Sequence, residues 1–170
     1  MKQLDKRFLP DTLAVRAGDS VEFENLDAVF HNVFSLDKAN AFDLGLYKGR
    51  RGYGDDKRTE KDGPAVPRQV FPGAGKFLIY CNIHPDMIGT VHSFGHGYFA
   101  QTDREGGFTL TVPDSGKVTV VVDGPRLGKP RELGLDLSAR PALLEVPLEL
   151  KRRARVKQHD RKDGSRYGGY

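Results

Sequence analysis

The stretch Phe77-Leu78-Ile79-Tyr80-Cys81-Asn82-Ile83-His84-Pro85-Asp86-Met87 sets the frame for the whole chain. Its first four residues are an apolar run following the turn Phe71-Pro72-Gly73-Ala74-Gly75, and the pattern predicts a central strand over Lys76–Tyr80 buried on both faces. Ile88–Ser93 alternates into another strand, so Cys81–Met87 is a loop between two strands. That loop holds a thiol, an imidazole and a thioether at the spacing C-x2-H-x2-M. Sulfur and imidazole donors together suit copper: two His and one Cys in a plane, with a weak axial Met, make an electron-transfer site. A second histidine must then come from elsewhere. His31, in the apolar setting His31-Asn32-Val33-Phe34-Ser35, is the best candidate.

Short alternating runs recur on both sides of this loop. Thr12–Arg16, Ser20–Glu24 and Val29–Phe34 read as strands before it. Tyr98–Thr102, Gly107–Val112, Lys117–Val122 and Leu143–Leu150 read as strands after the Gly95-His96-Gly97 break. Asp103-Arg104-Glu105-Gly106-Gly107 and Pro113-Asp114-Ser115-Gly116 are turn sequences between them. No ten-residue amphipathic helix is visible, and strands at this spacing predict an all-β protein built of sandwiches. Two stretches stand apart. Lys48–Arg68 holds seven basic and four acidic residues, too long for a hairpin turn, and reads as a functional loop or an insertion. Residues 151–170 form a basic tail with eight Lys/Arg against two Asp.

Composition limits the functions available to such a chain. It has 170 residues, 38% of them apolar and 29% charged, with a mean hydropathy of −0.53, which suits one domain or two small ones. The 20 Gly and 10 Pro exceed the usual combined share of roughly 12% and lie scattered without period, as strand-and-turn punctuation requires. No apolar window is long enough to predict a membrane span. A single cysteine excludes an intramolecular disulfide, a zinc ribbon and a dithiol redox pair. The net charge of +4 belongs to the tail, which carries +6 and leaves about −2 for residues 1–150. Tyr167 and Tyr170 are the tail's only aromatic residues for base stacking, so nucleic acid is not an expected partner. The opening Met1-Lys2-Gln3-Leu4-Asp5 lacks the apolar core of a signal peptide.

The residues around the loop resemble the cupredoxins, the blue copper family that includes plastocyanin, azurin and amicyanin. The resemblance covers about residues 8–93 and rests on His31-Asn32, on Phe8-Leu9-Pro10 and Val15-Arg16-Ala17-Gly18-Asp19-Ser20-Val21, and on the short ligand loop. With its proline after the histidine, that loop looks most like the one in amicyanin. The resemblance implies a Greek-key sandwich over 1–93 and one copper per chain, held by His31, Cys81, His84 and Met87. It further implies that Asn32 pins the cysteine loop, and that electrons pass through an exposed His84 edge beside Pro85. It implies a mononuclear electron carrier rather than an enzyme, periplasmic or otherwise exported, with a redox partner such as a cytochrome or an oxidoreductase. His31-Asn32-Val33-Phe34-Ser35, Phe42-Asp43-Leu44-Gly45-Leu46-Tyr47 and Tyr98-Phe99-Ala100-Gln101-Thr102-Asp103 also resemble methylamine-utilisation-like proteins. There a cupredoxin domain precedes a small sandwich similar to the carboxypeptidase regulatory, transthyretin-like domain, which implies such a unit over 94–150.

Each chosen residue has a plainer reading. Cys81 and Met87 could be core fillers, and His31 a hydrogen-bonded core histidine. What sets His84 apart from the other four histidines is sulfur at both −3 and +3. His92 and His96 share an i, i+4 spacing that converges on a helix but not on a strand, so they are left out of the site. The alternatives in function are a copper carrier or chaperone using the same ligands, and a non-redox interaction module.

Overall fold

The computed structural model describes residues 1–49, 66–113, 116–139 and 145–151. Among them the protein is all-β: fourteen strands, one short 3-10 turn at Leu137–Ala139 and no α-helix. No helix among the described residues is long and apolar enough to cross a membrane. The expected Lys48–Arg68 insertion and basic tail lie almost wholly outside the described residues. So do residues 114–115 of the second expected turn and residues 143–144 of the expected last strand.

A five-stranded sheet forms one layer, in the order β3 (Thr12–Arg16), β12 (Ile88–Phe94), β11 (Gly75–Tyr80), β7 (Phe34–Ser35) and β8 (Phe42–Asp43). The strand beginning one residue earlier than the predicted Lys76–Tyr80 is indeed at its centre. Its burial alternates, however: Phe77 and Ile79 point into the core while Leu78 remains 43% exposed. An apolar run predicted a strand covered on both faces, but here the outer face lacks a complete covering layer. β11 and β12 pair antiparallel from Gly75↔Ser93 to Tyr80↔Ile88, so the register closes on the Cys81–Met87 loop. β12 runs parallel to β3, from Thr90↔Thr12 to Phe94↔Arg16.

Shorter ladders complete the sandwich: β1 (Lys2–Leu4) with β2 (Arg7–Leu9) and β5 (Glu24–Asn25), β4 (Ser20–Glu22) with β10 (Arg68–Val70), and β6 (Phe30–His31) with β9 (Tyr47–Lys48). Phe8, Val21, Phe23 and Phe71 from this side meet Phe77, Ile79 and Val91 from the five-stranded sheet, with Val33, Cys81 and Met87 at the loop end of the same core. Gly89 is required where the layers touch, because a Cβ there would stand 3.1 Å from the Phe8 Cβ and the Ile79 Cγ1.

The expected single strand Val29–Phe34 is divided. Phe30–His31 pairs with β9, whereas Phe34–Ser35 pairs with β11 and β8. Asn32 and Val33 carry the chain from one ladder to the other, and both are buried. This crossing brings His31 and Asn32 to the end of the sandwich occupied by the Cys81–Met87 loop.

Beyond β12 the alternation predicted more strands than form. Tyr98–Thr102 and Gly107–Val112 have no ladder among the described residues, nor do residues 145–150. Most of these side chains are exposed, so no facing layer is present to reward alternation. The Asp103–Gly107 turn does form, closed by Asp103 N–H to the Gly107 carbonyl at 2.9 Å. Among the described residues, the one ladder on this side of the chain is an antiparallel hairpin, β13 (Lys117–Val122) with β14 (Arg131–Asp136). Among the described residues, Gln101, Asp123 and Phe99, which stacks on Phe94 with ring centroids 4.7 Å apart, attach this part to the sandwich. Gln101 Nε2 donates to the Thr12 carbonyl at 2.7 Å and its Oε1 accepts from Ala14 N–H at 3.4 Å, occupying the free edge of β3. Asp123 Oδ2 lies 3.1 Å from Lys76 Nζ and 3.8 Å from His92 Nε2.

Candidate metal centre

The strand crossing and the β11–β12 loop bring together three of the residues chosen from sequence. Ligand-type atoms of His31, Cys81 and His84 all lie within 4.8 Å of one another, and no other such group of His, Cys, Asp or Glu occurs among the described residues. Cys81 Sγ stands 3.8 Å from His31 Nδ1 and 3.6 Å from His84 Nδ1. With a metal–nitrogen distance of about 2.0 Å and a metal–sulfur distance of about 2.3 Å, the N···S edge is roughly 3.5 Å at a tetrahedral angle and roughly 3.7 Å at 120°. The observed edges fit one ion bound by all three atoms. The imidazoles also lie against each other, with ring centroids 4.7 Å apart.

Burial separates the candidate ligands. His31 is 0% exposed and Cys81 2% exposed, whereas His84 is half-buried between the exposed Ile83 and Pro85. Met87 is 1% exposed and packs in the core, with its N–H donating to the His84 carbonyl at 2.8 Å and its carbonyl accepting from Cys81 N–H at 3.2 Å. These bonds close a tight loop and fix the backbone at Cys81 and Met87, whose side chains are both buried. Asn32, 1% exposed, accepts from Asn82 N–H at 2.8 Å and donates from Nδ2 to Asp43 Oδ1 at 3.2 Å. The first of these contacts joins Asn82, in the cysteine loop, to the residue that follows His31.

Electrostatics favour a neutral, ligand-ready His84. Burial lowers its pKa first, and the His31 ring and the Lys6 charge lower it further against an opposing Asp27. Tyr47, opposite His31 in the β6–β9 ladder, is pushed well up by burial and by the neighbouring Cys81 charge. Its phenol therefore stays protonated, and it donates to Gln3 Oε1 at 2.6 Å. Gln3 is wholly buried and donates in turn to the Asn32 carbonyl at 3.3 Å.

Sequence reasoning missed three members of this surround: Gln3, Asp27 and Tyr47. Asp27 Oδ2 lies 2.7 Å from His31 Nε2, the closest polar contact of either imidazole. An acid four residues before a ligand histidine carries no meaning on an irregular segment, where no fixed period brings the two together. His92, left out of the site, stacks on Phe94 and faces Asp123 rather than a metal cluster.

No family model matches this sequence, and no curated protein matches it. Solved structures do. A reduced amicyanin carrying a tryptophan-to-tyrosine mutation is 22% identical over 55% of this chain and 78% of its own, with a TM-score of 0.44. An oxidised amicyanin carrying a methionine-to-leucine mutation gives 21%, the same coverage and 0.44. The copper-containing nitrite reductase of Thermus scotoductus SA-01 is 20% identical with a TM-score of 0.43, and the match takes in 55% of this chain but 21% of that enzyme. Likeness at this level assigns no role to any side chain here.

Proposed function

We propose that the chain is a mononuclear blue copper protein that carries single electrons between redox partners. The observation carrying this reading is the convergence of two imidazole Nδ1 atoms on one thiol, at 3.6 and 3.8 Å from its sulfur, with two of the three side chains buried. A structural zinc site would call for four firm ligands, and among the described residues no fourth His, Cys or carboxylate joins the group. Two imidazoles, one thiolate and a nearby thioether are the donor set that suits copper. When bound, the metal supplies a one-electron Cu(II)/Cu(I) couple.

The protein's own contribution is rigidity. His31 is locked in the core, Cys81 is held through its N–H to Met87, and the loop is pinned to Asn32. Such a preset shell limits movement between two oxidation states, and loosening it alters affinity and potential. In this reading Met87 would add a weak thioether donor to the three, and one copper would bind per chain. The half-exposed His84, flanked by Ile83 and Pro85, is the point of electron entry or exit. The partner is a redox protein such as a cytochrome or an oxidoreductase, and the chain works in the periplasm. An oxidising compartment threatens a lone thiol, and ligation together with burial protects it.

Titration of the purified protein with Cu(II) tests the proposal. An intense thiolate-to-copper absorption saturating at one equivalent is the expected result, and Cys81→Ser should abolish it while leaving the far-ultraviolet circular dichroism unchanged. A colourless wild-type protein, or a Cys81→Ser variant with the same band, would overturn it.

A further inference from the structure

We infer that Asp27 is the positioning residue of the metal centre: it fixes His31 with its proton on Nε2 and lowers the reduction potential of the bound metal. The second half of this inference rests on the copper reading above, and the first does not.

The turn between β1 and β2 is what holds Asp27 in place. Leu4 pairs with Arg7, which leaves Asp5 and Lys6 as a two-residue connection, both with positive φ (53° and 55°). That conformation suits a hairpin turn but is unfavourable for residues other than glycine, so it needs support from outside the turn. Asp27 provides it, with Oδ1 accepting from Asp5 N–H at 2.8 Å and Oδ2 from Lys6 N–H at 2.9 Å. The Asp27 backbone is itself anchored, its N–H donating to Asn25 Oδ1 at 2.9 Å. Asn25 Nδ2 donates to the Val29 and Tyr47 carbonyls at 2.9 and 3.2 Å. Gly49 packs so closely on the Asn25 and Asp27 carbonyls that a Cβ there would collide with both. The carboxylate is thus held from three sides before His31 is considered.

His31 Nε2 completes the set at 2.7 Å from Asp27 Oδ2. Both oxygens of this carboxyl already accept backbone N–H groups, Oδ1 from Asp5 and Oδ2 from Lys6, the arrangement an ionised carboxylate takes. An ionised carboxylate can only accept, so the imidazole must donate from Nε2. With the proton on Nε2, the Nδ1 lone pair faces Cys81 Sγ, 3.8 Å away. Withdrawing the Nε2 proton toward a carboxylate makes Nδ1 a stronger donor. Stronger donation and a nearby negative charge both favour the higher oxidation state of a bound metal.

Two measurements test this. In the metal-free wild-type protein at neutral pH, long-range nitrogen–proton NMR should show His31 protonated at Nε2 and bare at Nδ1. This readout needs neither a variant nor copper, and His31 protonated at Nδ1 would overturn the inference. In the copper-loaded protein, Asp27→Asn keeps the side-chain shape but removes the charge. At a fixed solution potential its Cu(I)/Cu(II) ratio should rise at least tenfold, equivalent to about 59 mV for one electron. A ratio within twofold of wild type, in a variant that retains the absorption band, would overturn the potential-setting role. If wild-type protein binds no copper, the reading of the centre fails while the NMR result still decides the orienting role of Asp27.

Discussion

Asn32 Oδ1 accepts a 2.8 Å hydrogen bond from Asn82 N–H, joining segments fifty residues apart at the residues that directly follow His31 and Cys81. His31 and Cys81 are thereby each next to a shared clasp, and neither segment can shift without the other. The clasp exists because the predicted strand at Val29–Phe34 breaks at Asn32 and Val33, releasing the Asn32 side chain from strand geometry.

Asn32→Ala should therefore weaken both fold and site. It leaves the Asn82 N–H without its acceptor and Asp43 without one donor, next to a buried core. Loss of a buried partner of this kind costs about 1–3 kcal/mol. Urea unfolding of the metal-free variant should show a lower midpoint with an unchanged slope. Copper affinity should fall by roughly 10–100-fold, the usual effect of removing an outer-shell support. A variant matching wild type in both midpoint and affinity would show that the clasp is idle.

The centre was more legible in the sequence than its surround. Cys81, His84 and Met87 share one loop whose length is set by the β11–β12 register, so their nearness follows from spacing. His31 could be selected because its apolar neighbours predicted burial, and it is buried. Asp27, Gln3 and Tyr47 reach the site through a strained turn, a buried amide and a two-residue ladder, none of which leaves a periodic trace in the sequence. The all-β class was also legible, because alternating runs and scattered Gly and Pro report it directly. Alternation failed where it stood alone. Gly107–Val112 alternates as Lys117–Val122 does, but only the latter has a described partner strand, Arg131–Asp136.

Met87 can be tested by separating its packing from its sulfur. Its side chain is 1% exposed and belongs to the core with Phe8, Val33 and Val91. Met87→Ala should cost about 2–5 kcal/mol in the metal-free protein, as truncating a buried methionine does. Met87→Leu nearly conserves volume and should cost less than about 1.5 kcal/mol. If the thioether is the axial ligand, the leucine variant keeps its visible band but has a raised reduction potential, because a donor to the oxidised metal is gone. An unmoved potential in that variant would leave Met87 a core residue and nothing more.

Acid should loosen the attachment of β13 in two stages. Burial and the Lys76 charge lower the His92 pKa, against the opposing Asp123 carboxylate. As pH falls below about 6.5, the unfolded chain therefore takes up a proton that folded His92 resists, and stability declines until the folded pKa is reached. For Asp123, burial raises the pKa, but the Lys76 and Gly124 hydrogen bonds and the nearby charges outweigh it and hold the carboxyl below its ordinary value. Its contribution is complete above about pH 4 and is lost as pH falls through the depressed folded value. Urea midpoints of the metal-free protein measured from pH 8 to pH 3 should therefore fall in both windows. Asp123→Asn should shrink the lower step, to which Asp27 also contributes, and His92→Gln should shrink the upper one, to which His84 also contributes. A profile identical in wild type and both variants would place the acid-sensitive groups elsewhere.

Electron exchange should run through the outer edge of His84. Its Nδ1 faces Cys81 Sγ at 3.6 Å, so the opposite ring edge, bearing Nε2, points away from the thiol. Of the two imidazoles only this one is not sealed in the core: His31 is wholly buried and its Nε2 is occupied by Asp27. Ile83 and Pro85, on either side of His84, are exposed and apolar, and a partner can cover them without stripping water from a charge. Redox encounters need little area, commonly under roughly 1,200 Å², so a small apolar collar around one imidazole edge is sufficient. Ile83→Glu and Pro85→Glu place charge on that collar without touching a ligand atom. Each should leave the visible spectrum and the potential unchanged while slowing electron exchange with a protein partner at least tenfold. Exchange with a small inorganic reagent should slow less, because it needs no apolar docking area. If both variants exchange electrons with the protein partner at the wild-type rate, the route through His84 is wrong and the partner meets a different face of the sandwich.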